Sequence, residues 1–266
     1  MIAERRMKMN ILAVGDVVGK PGMQAIKDKL KNIINENKID LTIVNGENSA
    51  DGMGITKKIL ETLYDAGADV VTMGNHTWGK KDIFSFIDEE KNLIRPANYP
   101  DGLPGYGTTI VKCKDKKVGI IDLIGRVNVG GTFDSPFEKA DEEIEKLKKE
   151  GADIIVVEFH AEATAEKIAL GYYLKEKVNI VYGTHTHVQT ADEKIYQTGM
   201  GYITDIGMTG PVNSIIGMEP SAALKRFLTQ IPERYSCAQG EYMLNAVVFT
   251  VDEESRKVTK IQRISL

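Results

Sequence analysis

Short apolar runs that break off in clusters of glycine, carboxylate, carboxamide and imidazole constrain this 266-residue chain more than any other feature. NILAVGD (10–16) ends in Gly15-Asp16, LTIVNGEN (41–48) in Asn45-Gly46-Glu47-Asn48, and ADVVTMGNH (68–76) in Gly74-Asn75-His76. Further on, ADIIVVEFH (152–160) ends in Glu158-Phe159-His160, and VNIVYGTH (178–185) runs on through Thr186 to His187. These runs have the length of strands and the near-continuous apolar character of strands covered on both faces. Amphipathic segments separate them. The stretch 21–38, opened by Pro21, puts Met23, Ile26, Leu30, Ile33 and Ile34 on one helical face. Further helices are expected over 55–67, with Gly67 at the C-cap, 136–151 and 164–177. KVGIIDLIG (117–125) reads as another strand, and 242–266 as a closing hairpin around Asp252–Arg256. Alternating βα units predict an α/β fold.

Composition narrows the class. The chain is 42% hydrophobic and 27% charged, with a net charge of −4, so it carries no electrostatic footprint for duplex nucleic acid. Its two cysteines, Cys113 and Cys237, form no CxxC pattern, which argues against a disulfide framework. The apolar run after the basic start is too short for a signal peptide, and no stretch approaches the ~18 residues of a membrane span. A cytoplasmic protein without membrane partners is expected. The simplest organisation is one domain over 9–266, with 1–8 an N-terminal extension or alternative start.

All four histidines, His76, His160, His185 and His187, fall at or just beyond predicted strand ends, the edge where α/β sheets bind ligands. Each polar residue alone has an ordinary explanation. Asp16 could cap a turn, Asn75 could sit in a left-handed turn, His160 could cap a helix, and His76 could be a satisfied half-buried imidazole. His185 and His187 are stronger together, because residues i and i+2 of an extended chain point the same way. The coincidence of five strand ends is stronger still. One Asp, one Glu, two Asn and three or four His exceed the roughly four ligands of a tetrahedral zinc. They suit two divalent ions ~3.5–4 Å apart, bridged by a carboxylate. Without a thiolate the set favours Fe(II), Mn(II) or Zn(II). Gly15, Gly46, Gly74 and Gly183 are expected to let the backbone turn sharply there.

In that order the motifs resemble the calcineurin-like metallophosphoesterases, whose usual pattern is D-x-H, G-D-x-x-D, G-N-H-[D/E], a lone H and G-H-x-H. More narrowly, GDVVGKPG, NGENSADGMGIT, GNHTW, FHAEAT, GTHTHVQTAD and ITDIGMTGP resemble the YmdB-like branch, which contains 2′,3′-cyclic nucleotide phosphodiesterases. The similarity runs from Asn10 to Ile264. Val18 stands where the broad pattern has histidine, Glu47 replaces the bridging aspartate and is followed by Asn48, and no acidic residue follows His76. These departures match the narrower branch.

The resemblance implies a four-layer α-β-β-α sandwich holding two divalent ions per chain, Fe2+ or Mn2+ first and Zn2+ or Mg2+ as alternatives. Asp16, Glu47, Asn48 and His187 would hold one ion, and Glu47, Asn75, His160 and His185 the other. A metal-activated hydroxide would attack the phosphorus of a small cyclic nucleotide such as 2′,3′-cAMP, with His76 protonating the leaving alkoxide. Asp205 and Thr209 would support the ligands. GRVNVGGTFDSPF (125–137) is open to two readings, a substrate-facing loop carrying Arg126 and Thr132 or a plain surface loop. A homo-oligomer, such as a tetramer, is also implied. Two further functions stay open: a phosphomonoesterase or nucleotidase using the same metals, and a regulatory protein with a mainly structural metal site acting through RNA-processing partners.

Overall fold

The structure, a computed structural model, describes residues 7–234 and 236–266; residues 1–6 of the expected N-terminal extension lie outside them. The first half runs β1 (Lys8–Val14), β2 (Asp16–Val17), α1 (Gly19–Glu36), β3 (Leu41–Asn45), α2 (Lys57–Ala66), β4 (Val70–Thr72) and β5 (Leu93–Ile94). The middle continues with β6 (Thr108–Cys113), β7 (Lys116–Ile124), α3 (Pro136–Lys149), β8 (Ile154–His160), α4 (Thr164–Leu174) and β9 (Ile180–Thr184). Then come β10 (Lys194–Ile195), β11 (Gly201–Ile203), β12 (Met208–Pro211), α5 (Pro220–Thr229), β13 (Tyr242–Met243), β14 (Asn245–Asp252) and β15 (Val258–Ser265).

Two six-stranded sheets form the centre, in the orders β15-β14-β1-β3-β4-β5 and β10-β11-β9-β8-β7-β6. The strands β1-β3-β4-β5 and β11-β9-β8-β7 run parallel, as the βα alternation requires, while the expected closing hairpin β14/β15 adds an antiparallel edge through β14 against β1. A small third sheet, β13-β12-β2, pairs Met208 with Asp16 and so ties the first strand end to the 208–211 segment. One apolar cluster joins the first sheet to α1 and α2, a second lies between the sheets, and a third joins the second sheet to α3 and α4. That is the expected four-layer α-β-β-α sandwich. No helix of the described residues is long and apolar enough to cross a membrane.

Strand periodicity decides where the polar groups go. Along β8, Ile155, Val157 and Phe159 pack toward the helices, while Ile154 and Val156 pack between the sheets. Glu158 and His160 share the parity of the inner set. The same switch occurs on β3 (Leu41, Ile43, then Asn45), β7 (Val118, Ile120, then Asp122) and β9 (Ile180, Tyr182, then Thr184). The layer between the sheets is therefore apolar along most of its length and polar at its C-terminal end. Glu158 ties the polar end together, accepting hydrogen bonds from Asn45 (2.6 Å), Tyr182 (2.9 Å) and Thr184 (3.0 Å) and joining both sheets, while Asp122 Oδ1 stays without a hydrogen-bond partner among the described residues.

The turn after β9 has its own brace. Lys167 of α4 is only 2% exposed and lies on the helix's buried stripe with Leu170, Gly171 and Leu174. Its ammonium donates to the Thr184 carbonyl (2.6 Å) and to Asp205 Oδ2 (2.7 Å). The same Asp205 oxygen accepts from the Thr186 amide (3.2 Å) and hydroxyl (2.6 Å). Removing one partner of a buried ion pair strands the other charge. Lys167→Ala should therefore lower unfolding free energy by about 3–5 kcal/mol in chemical denaturation; a loss under about 1 kcal/mol would show that the pair does not brace the turn.

Candidate metal centre

Loops from five strand ends bring the predicted residues to one place. Asp16, Glu47 and His160 are fully buried, Asn48 nearly so, and Asn75, His76, His185 and His187 are partly exposed. Glu47 lies at the middle. Its Oε1 is 3.1 Å from His160 Nε2 and accepts from Asn48 Nδ2 at 3.0 Å, and its Oε2 accepts from the His76 amide at 3.0 Å. His160 Nε2 is also 2.9 Å from Asn75 Oδ1 and 3.0 Å from His185 Nδ1.

The far nitrogen of each imidazole fixes its tautomer. His160 Nδ1 donates to Thr184 Oγ1 (2.9 Å), whose hydroxyl is committed to Glu158. His185 Nε2 faces Glu162 at 3.1 Å, and His187 Nδ1 donates to the Ile216 carbonyl at 2.8 Å. Glu47 Oε1, Asn75 Oδ1 and His185 Nδ1 thus all converge on His160 Nε2, each about 3 Å from it. Atoms bound to one cation at ~2.0–2.2 Å also sit about 3 Å apart, so this cluster has the spacing of a metal site. Glu47, His160 and His185 alone already satisfy the spacing of a metal-binding group.

A second set lies beside it. Asp16 Oδ1 is buried with no hydrogen-bond partner among the described residues, 3.6 Å from His187 Nε2. An orphaned buried carboxylate oxygen facing an imidazole nitrogen is a pair of groups that could ligate a cation. Asn48 departs from the rest: its Nδ2 faces His187 Nε2 (3.3 Å) and its Oδ1 is 2.7 Å from His76 Nδ1.

The electrostatics put positive charge on the imidazoles that face the carboxylates: burial would lower His160, but Glu47 and then Asp16 outweigh it and raise it. Burial would raise the Glu47 carboxyl, but the facing His160 holds it well below the usual range, and His187 does the same for Asp16 against the same burial. Burial, with His160 alongside, pushes the His185 imidazole down to about 3, which keeps it neutral. His187 is pushed up to about 9, burial being outweighed by Asp16 at its Nε2.

Several expectations are corrected. His185 (φ 90) and His187 (φ 64) sit in the left-handed region, so they converge through strained turns and not through extended-chain alternation. The four strand-end glycines do not have positive φ; they are needed for close approach. A methyl group at Gly74 would collide with Glu47 Oε2 and the His160 ring, and one at Gly183 with the Thr204 carbonyl. Thr209 bonds the Asn245 carbonyl of β14 and pairs with Val17 beside Asp16, and Asp205 reaches the histidine turn through Thr186. Arg126 does not line the cavity over the cluster; its amide bonds Glu166 at 2.9 Å. That cavity, about 410 Å³, is instead completed by the 215–227 segment, including Arg226 and Phe227. Neither that segment nor Lys167, Glu158 or Glu162 was among the expected site residues. The position of Lys167 on an apolar helical stripe was the one available signal.

The chain matches the model of the family described as YmdB-like protein over residues 12–264. It is 49% identical to a Bacillus subtilis protein named 2′,3′-cyclic-nucleotide 2′-phosphodiesterase, covering 96% of each chain. Among solved structures, a hypothetical protein from Thermus thermophilus superposes with a TM-score of 0.90 at 38% identity, covering 97% of this chain and 99% of that one. A structure described as a novel phosphatase from Mycoplasma pneumoniae gives 0.92 at 35% identity, covering 98% and 94%. Every strand end that carries a candidate ligand lies inside the matched span, and the chain belongs to the YmdB-like family.

Proposed function

We propose that this protein is a dinuclear metal-dependent phosphodiesterase that hydrolyses 2′,3′-cyclic nucleotides. The observation that carries this reading is the convergence of Glu47 Oε1, Asn75 Oδ1 and His185 Nδ1 on His160 Nε2, each about 3 Å from it, with the orphaned Asp16 Oδ1 beside them. The Bacillus subtilis relative's name supplies the substrate class and the bond broken, the one to the 2′ oxygen.

Asp16, Glu47, Asn48 and His187 would hold one ion and Glu47, Asn75, His160 and His185 the other, with Glu47 shared. The oxygen and imidazole donors suit Fe2+ or Mn2+. When bound, such a pair supplies acidified water as nucleophile and Lewis-acid polarisation of the phosphoryl oxygens. The chain's own residues do the rest. Water oxygen bonds to phosphorus, the P–O2′ bond breaks, and the 2′ oxygen needs a proton. His76 lines the cavity, and its Nδ1 is held by Asn48 Oδ1, leaving Nε2 without a protein partner among the described residues. An imidazolium that gives up its Nε2 proton reverts to the Nδ1–H tautomer that Asn48 already holds, so the donor needs no rearrangement. The product is the 3′-phosphomonoester.

Mn2+- or Fe2+-loaded protein should hydrolyse 2′,3′-cAMP in preference to adenosine mononucleotides, and a chelator should abolish turnover. Preference for the mononucleotides would make the protein a phosphomonoesterase, a reading suggested by the Mycoplasma pneumoniae structure's description. His76→Asn should keep full metal content and lose about 10²–10⁴-fold in kcat, the usual weight of general-acid help; wild-type turnover would remove His76 from that role. Asp16→Ala should instead lower the metal content by elemental analysis, and unchanged content would remove Asp16 from the ligand set.

A further inference from the structure

Two chemically different contributors line the cavity over the metal cluster. Strand-end loops supply Glu47, Asn48, His76, His185 and His187, which account for metal binding and proton transfer. The 215–227 segment supplies Ile216, Met218, Arg226 and Phe227, and nothing in the hydrolytic step requires them.

Three observations mark that segment as built for a ligand. First, α5 is inverted. Its one buried side chain is Ala223, while Leu224, Phe227 and Leu228 face outward, Phe227 at 74% exposure beside an open cavity. A large aromatic held in solvent on a cavity wall is a free stacking surface. Second, Ile216 adopts φ 48, a conformation β-branched residues avoid. Its carbonyl takes the His187 Nδ1 proton and its side chain lines the cavity, so one strained residue ties the apolar wall to a metal-facing imidazole. Third, Arg226 lines the cavity, and its side chain has no ion pair or hydrogen bond among the described residues. The nearby carboxylates Glu47 and Glu162 are already engaged by His160 and His185. An aromatic face, an apolar floor and a free planar cation, beside a centre that attracts anions, match a base, a ribose and a phosphate in turn. The volume of about 410 Å³ lies within the ~300–1,000 Å³ typical of small-ligand sites.

We propose that the 215–227 segment is the nucleoside-recognition wall of the site. Phe227 stacks the base, Ile216 and Met218 pack against the sugar, and Arg226 binds a non-bridging phosphate oxygen. The assignment of the phosphate end rests on the phosphodiesterase reading above; the base-stacking role does not need turnover.

The test uses Mn2+-loaded full-length protein and two cyclic diesters, 2′,3′-cAMP and the base-free ethylene phosphate. Phe227→Ala should raise KM for 2′,3′-cAMP roughly 5- to 150-fold, the range of a lost base stack, with kcat within twofold and ethylene phosphate kinetics unchanged. Phe227→Trp should restore the KM. Arg226→Ala should raise KM for both substrates by similar factors, and Arg226→Lys should recover part of the loss. In parallel, calorimetry should find adenosine 3′-phosphate binding weakened by Phe227→Ala and inorganic phosphate binding unaffected. Equal binding of adenosine 3′-phosphate to wild type and Phe227→Ala would overturn the wall. If wild type turns over neither diester while the binding difference persists, the phosphodiesterase reading falls and the wall stands.

Discussion

A fully buried carboxylate, Glu47, sits where the apolar layer between two sheets gives way to polar side chains, and the local structure is organised around that charge. Burying an ionised carboxylate without compensation is prohibitive, so the surroundings must supply charge or donors. Here the neighbours are the His76 backbone amide, the Asn48 side-chain amide and the His160 imidazole, whose basicity Glu47 raises. Asp16 Oδ1 still has no hydrogen-bond partner among the described residues, and on the proposed reading a pair of cations would meet both carboxylates at once.

The supporting layer makes that arrangement specific. Glu158 fixes Thr184, Thr184 fixes His160, Glu162 fixes His185, and Ile216 fixes His187, so each imidazole turns its other nitrogen toward the centre. The Lys167–Asp205 pair holds the backbone of the turn in which His185 and His187 take left-handed conformations. Strain at those two residues and at Ile216 is concentrated where side chains must be aimed, and rigid elements beneath it absorb the cost.

Much of this was legible in the sequence, for a physical reason. Period-2 alternation and chain order put polar residues at strand ends, and the topology of parallel βα units carries those ends to one edge, so Asp16, Glu47, Asn75, His160 and the histidine pair were found together. The helices over 19–36, 57–66, 136–149 and 164–174 followed from apolar periodicity, within a few residues of expectation. What was not legible depended on tertiary context. α5 exposes its apolar face, so its pattern gives no burial signal. The apolar stripe on which Lys167 lies hints at its burial, but its partner Asp205, 38 residues on, comes into view only in three dimensions. The strand-end glycines suggested sharp turns because φ is the common reason for glycine, whereas crowding by Glu47 and His160 is visible only in three dimensions.

The central claim is that Glu47 is shared by two cations. Anomalous diffraction from crystals of Mn2+-loaded protein, recorded at the manganese absorption edge, tests it most directly. The account predicts two peaks about 3.5–4 Å apart, one bounded by His160, His185 and Asn75 and the other by Asp16 and His187, with the Glu47 carboxylate between them. A lone peak beside His160 and His185, with the Asp16 oxygen still bare, would contradict it.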